Sequence, residues 1–223
     1  MKIGIYGDSF ACTGACRYPK INNDTPWMTL IETPEYNINN FALSGTSMYW
    51  SYKNYKDNHT KFDKNIFLAT ASGRIYIPWN EEKQHWTGYS ITQENHKQND
   101  KHISGFNEVY GYFTKIYNSK EHDLYKKLMI NDIMSNNNSL VIDNTDILLK
   151  ISLREIEYYK SLNLNLPWHN DNRWCHLSQE GNNFLAERIK VWLETGTFNI
   201  NDWEESCPLP TKEKAFSYFL ENY

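Results

Sequence analysis

The sequence has few cysteines, no long apolar run and no excess of positive charge, and each absence excludes a class of protein. Its 223 residues contain four cysteines, too few for the disulfide framework of a small secreted domain, so we expect reduced thiols. No stretch approaches the roughly 20 apolar residues of a membrane-spanning helix. A formal net charge of −4 gives no general attraction to nucleic acid or to an anionic membrane. We therefore expect neither as a partner.

The beginning of the sequence also lacks the pattern of a secretory signal. Residues 1–7 run directly into a pattern typical of a β-strand, without a positively charged lead and an apolar core. The expected location is the cytoplasm. The chain has no internal repeat and no low-complexity tract, and its length predicts one domain with one substantial core.

Short apolar strands alternate with helical patterns along the chain. Strands are predicted at 2–7, 36–43, 65–70 and 139–143, and helices from 25 to Pro34, at 48–56, in two pieces over 107–135 with a break near 118–119, at 145–161 and from 177 to Gly196. The third strand is continuous and apolar, as in a buried parallel strand. This alternation predicts a doubly wound α/β sheet.

Two of these helices carry specific expectations. In the first, Thr25 is the predicted cap and Pro26 the first helical residue, and Trp27, Leu30 and Ile31 are spaced for one buried face. In the last, a buried face is predicted for the following apolar residues: Phe184, Leu185, Ile189, Trp192 and Leu193.

Residues 78–106 interrupt the α/β pattern with polar residues and isolated aromatics. A stretch this polar and long predicts an insertion, or a cap over the carboxyl edge of the sheet. Its aromatic side chains could stack on carbohydrate or pack on the helices. The predicted domain spans 1–198, and 199–223 form a C-terminal surface extension.

A serine and a distant histidine are the candidates for chemistry. Ser9 directly follows the first strand, and His176 stands at the entrance to the last helix. A serine hydroxyl is a poor nucleophile at neutral pH, so acyl transfer needs a base to take its proton and donors for the developing oxyanion. Ser9 as nucleophile and His176 as general base fit this requirement, and the N–H of Ser9 could be one oxyanion donor.

The order of these residues resembles the GDSL/SGNH hydrolase family. In that family a Gly-Asp-Ser motif carries the nucleophile, and residues 7–9 match it. A second block contributes a glycine N–H to the oxyanion hole, and residues 40–45 (Asn-Phe-Ala-Leu-Ser-Gly) are similar to it, ending at Gly45. The last block carries the histidine, matched by His176. The blocks are short, but they follow the family's order across most of the chain.

Two blocks depart from the family's usual pattern. The third usually reads Gly-x-Asn-Asp, where the Asn donates to the oxyanion, but residues 70–74 read Thr-Ala-Ser-Gly-Arg, and Arg74 is the candidate donor instead. The last block usually has Asp three residues before His, where this chain has Arg173. Its nearest acid, Asp171, gives an Asp-x-Arg-x-x-His-Leu-Ser spacing that resembles phage-type members. Asp171 would then orient His176, unless a backbone carbonyl does so and the pair is a dyad.

Each candidate also has a purely structural alternative. Ser9 could cap a helix or bind a phosphate, and His176 could be a helix-entry residue with a satisfied hydrogen bond. Asp171 could be a structural cap, Gly45 could be required for a positive φ, and Arg74 could form a surface ion pair. Four side chains of types that bind zinc also stand near the last block: His169, Asp171, Cys175 and His176. Their spacing matches no metal motif, so we expect no metal.

The resemblance implies a three-layer α/β/α sandwich with a mostly parallel, flavodoxin-like sheet, and an esterase that needs no cofactor. Its substrate would be a small-molecule or glycan ester. The abundance of Asn, Lys, Ile and Tyr suggests an AT-rich genome, and together with the phage-type last block it favours a bacteriophage origin. O-acetyl esters on surface glycans would then be the substrates, and the host cytoplasm or the virion the location.

Two other functions fit the same sequence. A catalytically inactive module could keep the fold and bind glycan or a host protein, and the missing Asn of the third block favours it. An acyltransferase would pass the acyl group from Ser9 to an acceptor other than water.

Overall fold

The structure is a computed structural model, which describes residues 1–12, 25–43, 46–70, 72, 115–143, 148–164, 177, 179–209 and 211–213. The described elements are β1 (Lys2–Tyr6), α1 (Trp27–Leu30), β2 (Asn37–Asn40), α2 (Met48–Asn58), a 3₁₀ turn (His59–Lys61), β3 (Lys64–Ala69), α3 (Ser119–Met134), β4 (Ser139–Asp143), α4 (Leu149–Ser161), α5 (Gln179–Thr195) and α6 (Trp203–Ser206). Strands and helices alternate over most of this order, as the α/β prediction requires.

The four strands form one parallel sheet in the order β2-β1-β3-β4. Backbone N–H groups of Asn37, Phe41 and Leu43 donate in turn to the carbonyls of Met1, Ile5 and Gly7, and this constant offset of 36 residues marks β1 and β2 as parallel. The order is that of the flavodoxin-like doubly wound sheet. The predicted fold class is therefore confirmed.

Both faces of the central strands β1 and β3 are buried. On one face, Tyr6 of β1 and Phe67 of β3 pack with Met48 and Tyr55 of α2 and with Ile133 of α3. The alternate residues Ile3, Ile5, Ile66 and Leu68 point to the opposite face and have no exposed surface. Strands buried on both faces are typical of a parallel sheet in an α/β fold.

The chain divides into two compact units, with borders inside β1 and β2. The first comprises Gly4–Cys12 and Asn40–Ile142, and it holds the core that α2 and α3 form with the sheet. The second comprises Met1–Ile3, Thr13–Asn39 and Asp143–Tyr223. Within it α1 packs on α5, and the five apolar residues predicted for the buried face of α5 are all buried.

The start of α1 differs from the prediction. Pro26 precedes the helix rather than opening it, the helix is a single turn, and no side chain caps it. Residues of α5 bond the chain there instead: Gln179 Oε1 accepts the Thr25 N–H at 2.7 Å, and Asn182 Oδ1 accepts the Trp27 N–H at 2.9 Å. One turn is too short to be stable alone, so these contacts determine where it begins.

Met28 lies on the buried face of α1 with Trp27 and Ile31, whereas Leu30 is half-buried.

The boundaries of two other helices follow the sequence more closely. The helix predicted after the break near 118–119 begins at Ser119, where the Asn118 side chain accepts the Lys120 N–H at 3.1 Å. Gly196 ends α5 with a φ of +76°.

The predicted cap at 78–106 lies outside the described residues, and the division at 198/199 stays a prediction. Among the helices that the structure describes, none is long and apolar enough to cross a membrane.

Candidate active site

The carboxyl ends of β1, β2 and β3 lie side by side at one edge of the sheet. From β1 the chain continues to β2 on one side, and β3 and β4 follow on the other. The strand order therefore reverses between β1 and β3. In open α/β sheets, ligands bind in the crevice at such a reversal. The loop after β1, which carries Ser9, leaves the sheet at this point.

Gly7 makes the turn out of β1. Its φ is +150°, and a Cβ added there would lie 2.9 Å from Leu68 Cβ and 3.1 Å from Leu68 O. A side chain at this position would be strained and would also collide with β3. Glycine therefore lets the loop that carries Ser9 run close against the neighbouring strand.

Asp8 anchors the loop to β3 through a buried carboxylate. Thr70 Oγ1, at the carboxyl end of β3, donates to Asp8 Oδ2 at 2.6 Å, and the Phe10 N–H donates to Asp8 Oδ1 at 3.2 Å. Asp8 is wholly buried and Thr70 nearly so. Because a buried carboxylate needs its hydrogen bonds, this contact fixes the residue next to Ser9.

Ser9 lies half-buried in a tight turn that begins at Asp8 and ends at Ala11. The Ala11 N–H donates to the Asp8 carbonyl at 3.0 Å, which closes the turn. Within the part of the chain that the structure describes, the Ser9 hydroxyl has no hydrogen-bond partner. The turn thus presents a serine hydroxyl at the carboxyl edge of the sheet.

The loop after β2 is held to the loop after β1. The Leu43 N–H donates to Gly7 O at 3.2 Å, and the buried Thr46 hydroxyl lies 2.8 Å from Leu43 O and 3.3 Å from Gly7 O. Ser47 then caps α2 by accepting the Trp50 N–H at 3.3 Å. These bonds fix both sides of residues 44–45, which themselves lie outside the described residues.

Ser72 and Tyr6, the last residue of β1, are tied to neighbours by side-chain hydrogen bonds. Ser72, two residues beyond Thr70, donates a hydrogen bond to the Asp123 carboxylate of α3. Burial, together with the neighbouring Tyr55, raises the pKa of Tyr6 well above its usual range. Tyr6 is therefore a neutral phenol at neutral pH, where its hydroxyl bonds Asn65 Oδ1 at 3.3 Å.

Of the predicted site residues, the structure describes Ser9. His176, Asp171, Gly45 and Arg74 lie outside the described residues, so their roles stay predictions. All four residues of zinc-binding type, His169, Asp171, Cys175 and His176, therefore lie outside the described residues. Among the residues the structure does describe, no group of three or more His, Cys, Asp or Glu side chains could hold a metal ion.

Two contacts that hold the Ser9 loop did not emerge from the sequence: Thr70 donates to Asp8, and Asn40 Nδ2 donates to the Ala11 carbonyl at 2.6 Å. Asp8 stood in the Gly-Asp-Ser motif and Asn40 opened the second block, but neither position indicates a partner. Thr70 had no signal beyond ending a strand, since its contact with Asp8 spans 62 residues.

No protein-family model matches the sequence, and no curated protein matches it. Among solved structures, the chain is similar to the crystal structure of an acetyl xylan esterase, AlAXEase, with 16% identity and a TM-score of 0.36, over 87% of this chain and 100% of the other.

Proposed function

We propose that this chain is a serine esterase of the GDSL/SGNH type, with Ser9 as its nucleophile. The observation that carries the proposal is the position of Ser9: a half-buried serine in a tight turn directly after β1, where the strand order reverses. Asp8 and Gly7 hold this turn against β3. An anchored loop favours catalysis because a nucleophile must be kept in a fixed geometry.

In the proposed mechanism, His176 is the general base and Asp171 orients its ring. The Ser9 hydroxyl oxygen attacks the ester carbonyl carbon while its proton passes to His176. The resulting oxyanion accepts hydrogen bonds from the Ser9 N–H, the Gly45 N–H and the Arg74 guanidinium. A guanidinium in place of the family's Asn would be a charged and therefore stronger donor.

Collapse of this intermediate breaks the bond to the leaving alkoxide, which takes the proton from His176 and departs as the alcohol. A water molecule, deprotonated by His176, then attacks the acyl-Ser9 ester. The second intermediate collapses to the carboxylic acid and restores the Ser9 hydroxyl. The sum of the steps is ester plus water to acid plus alcohol, with no cofactor.

For the substrate, we propose an O-acetyl ester on a glycan. This choice follows from the phage-type spacing of Asp171 and His176 and is an analogy at the level of the family. The aromatic residues of 78–106 would supply stacking surfaces for sugar rings.

A binding module without catalysis is the second candidate, and the third block favours it. Residues 70–74 lack the Asn that donates to the oxyanion in the family. Such a module would bind acetylated glycan with equal affinity before and after Ser9→Ala and would release no acetate.

The experiment is acetate release from acetylated glycans and from a small acetyl ester, by wild type and by Ser9→Ala, His176→Ala and Ser72→Ala. Ser72 is the matched control, because it is a serine at the same edge of the sheet. We expect the wild type to release acetate, and Ser9→Ala and His176→Ala each to reduce the rate by about 10³-fold or more. Ser72→Ala should retain the wild-type rate. Glycan binding without acetate release by the wild type would favour the binding module. Diversion of acetyl groups to added alcohols would identify an acyltransferase.

A further inference from the structure

Asn40, the last residue of β2, places its side-chain amide between two loops. Its Nδ2 donates to the carbonyl of Ala11 at 2.6 Å. Its Oδ1 accepts the N–H of Ala42 at 2.8 Å. One half-buried side chain therefore bonds the backbone of the loop after β1 and the backbone of the loop after β2 at the same time.

Under the proposed function, each of these loops carries one oxyanion donor. Ala11 ends the turn that contains Ser9, and Ala42 lies three residues before Gly45 in the sequence. The position of the Ser9 N–H relative to β2 therefore depends on how the two loops are joined.

Among the described residues, the backbone ladder joins these segments as far as Gly7. The Phe41 and Leu43 N–H groups donate to the carbonyls of Ile5 and Gly7 at 2.8 and 3.2 Å. Past Gly7 the chain turns away through Ser9, and the bond from Asn40 to Ala11 ties the far end of that turn to β2.

We propose that Asn40 is a positioning residue that holds the turn carrying the Ser9 N–H, a proposed oxyanion donor, in a fixed place beside β2. This inference rests on the proposed function. The amide suits the position because it supplies a donor and an acceptor together. An ionised Asp of the same shape would keep the acceptor for Ala42 but would face the Ala11 carbonyl with negative charge and no proton.

The test compares Asn40→Asp, Asn40→Ala and Asn39→Asp with the wild type. Asn39 is the matched control, since it is the exposed neighbour in the same strand and its Nδ2 bonds Asn37 Oδ1. The measured quantity is the rate constant for labelling of Ser9 by a fluorophosphonate, whose phosphonyl oxygen requires the oxyanion donors. Rates are measured over about pH 5 to 8, which spans the range from a partly protonated to an ionised Asp at a half-buried site.

We expect Asn40→Asp to label about tenfold more slowly than wild type at neutral pH, and Asn39→Asp to equal the wild type. The ratio of Asn40→Asp to wild type should rise as the pH falls, because a protonated carboxyl regains an O–H donor for Ala11. The ratio for Asn40→Ala should stay low at every pH. Equal rates for Asn40→Asp and Asn39→Asp across this range would overturn the proposal.

Amide hydrogen exchange separates this inference from the proposed function. In Asn40→Ala, exchange should become faster in 8–12 and 41–43 and stay unchanged elsewhere in the sheet; unchanged exchange in these loops would overturn the role of Asn40. A folded wild type that the probe does not label at Ser9 would overturn the proposed function. If faster loop exchange accompanied that result, Asn40 would link the two loops without an oxyanion role.

Discussion

At the scale of single residues, the loop that carries Ser9 depends on hydrogen bonds that few other side chains could make. Thr70 donates to the buried Asp8 carboxylate at 2.6 Å, and Asn40 donates to the Ala11 carbonyl at 2.6 Å. Both bonds hold the turn on either side of Ser9 rather than Ser9 itself. Their loss should therefore affect the reactivity of Ser9 as well as the stability of the fold.

Thr70→Val tests the bond to Asp8. Valine keeps the shape of threonine but removes the O–H donor, so a buried carboxylate loses a partner at a cost of about 1–3 kcal/mol. We expect a lower urea midpoint and labelling of Ser9 that is about tenfold slower. Thr70→Ser keeps the hydroxyl and should recover most of the labelling rate. A Val variant that labels as fast as wild type would show that Asp8 holds the turn without Thr70.

Gly7 and Gly196 form a matched pair for the cost of a side chain at positive φ. Both have positive φ, but an added Cβ meets Leu68 at Gly7 and nothing within 4 Å at Gly196. Gly196→Ala should cost about 1–2 kcal/mol through backbone conformation alone. Gly7→Ala should cost roughly 2 kcal/mol more, because its φ of +150° is less accessible to a side-chain-bearing residue than +76° and because Leu68 must also move. Denaturant unfolding measures both, and equal losses would contradict the close approach of Gly7 to β3.

At the scale of elements, the sequence correctly predicted the strands whose boundaries are determined by local patterns. The strand predicted at 65–70 is observed at Lys64–Ala69, and the one at 139–143 is observed at Ser139–Asp143, because continuous apolar runs mark buried strands. The second strand, predicted to reach residue 43, ends at Asn40. Beyond Asn40 the Phe41 and Leu43 N–H groups still donate to the Ile5 and Gly7 carbonyls, so the pairing with β1 does reach residue 43 as predicted.

For the candidate site, too, the sequence predicted what depends on local pattern and missed the long-range contacts. Ser9 followed from its place after an apolar strand and from the family's motif order. The partners of Asp8 and Asn40 did not, because they depend on which strands become neighbours. The prediction for the start of α1 was wrong for a similar reason, because residues more than 150 positions away in the sequence bond the chain there.

Asn182 of α5 should therefore be critical for docking α1. It is buried, accepts the Trp27 N–H at 2.9 Å and donates to the Leu177 carbonyl at 3.0 Å. Asn182→Leu leaves both backbone groups without this partner, so we expect a loss of about 1–3 kcal/mol for each group. Glu187→Leu, at an exposed position of the same helix, should change stability by less than about 0.5 kcal/mol. Equal unfolding midpoints for the two variants would contradict this role of Asn182.

The contact between α2 and α3 should give a small dependence of stability on pH. Hydrogen bonds from Lys56 and Tyr52, at 3.0 and 2.9 Å, lower the pKa of Asp132. A pKa lowered by folding means that the stabilisation is present above the unfolded pKa and is lost as the pH falls through the folded one. Asp132 is 42% exposed, so solvent screening keeps the contribution below about 1 kcal/mol.

Asp132→Asn tests this expectation. Its difference from wild type in the free energy of unfolding should be constant near neutral pH and should shrink below about pH 4. Urea unfolding at several pH values measures it, and a difference that grows on acidification would contradict the sign of the shift.

At the scale of the whole molecule, the strand order gives Ser9 its significance. A β2-β1-β3-β4 sheet reverses its winding between β1 and β3, and the loop after β1 carries the serine of a Gly-Asp-Ser motif. The fold thus places the Gly-Asp-Ser motif at the edge where open α/β sheets bind ligands. Whether this edge performs ester hydrolysis or only binding depends on the reactivity of one hydroxyl.

The most direct measurement is intact mass and peptide mapping after treatment with a fluorophosphonate, for wild type, Ser9→Ala and His176→Ala. The proposal predicts a single adduct on Ser9 of the wild type, none in Ser9→Ala, and a sharply slower reaction in His176→Ala. No adduct on a folded wild type, or an adduct that persists in Ser9→Ala, would contradict the assignment of Ser9 as an activated nucleophile.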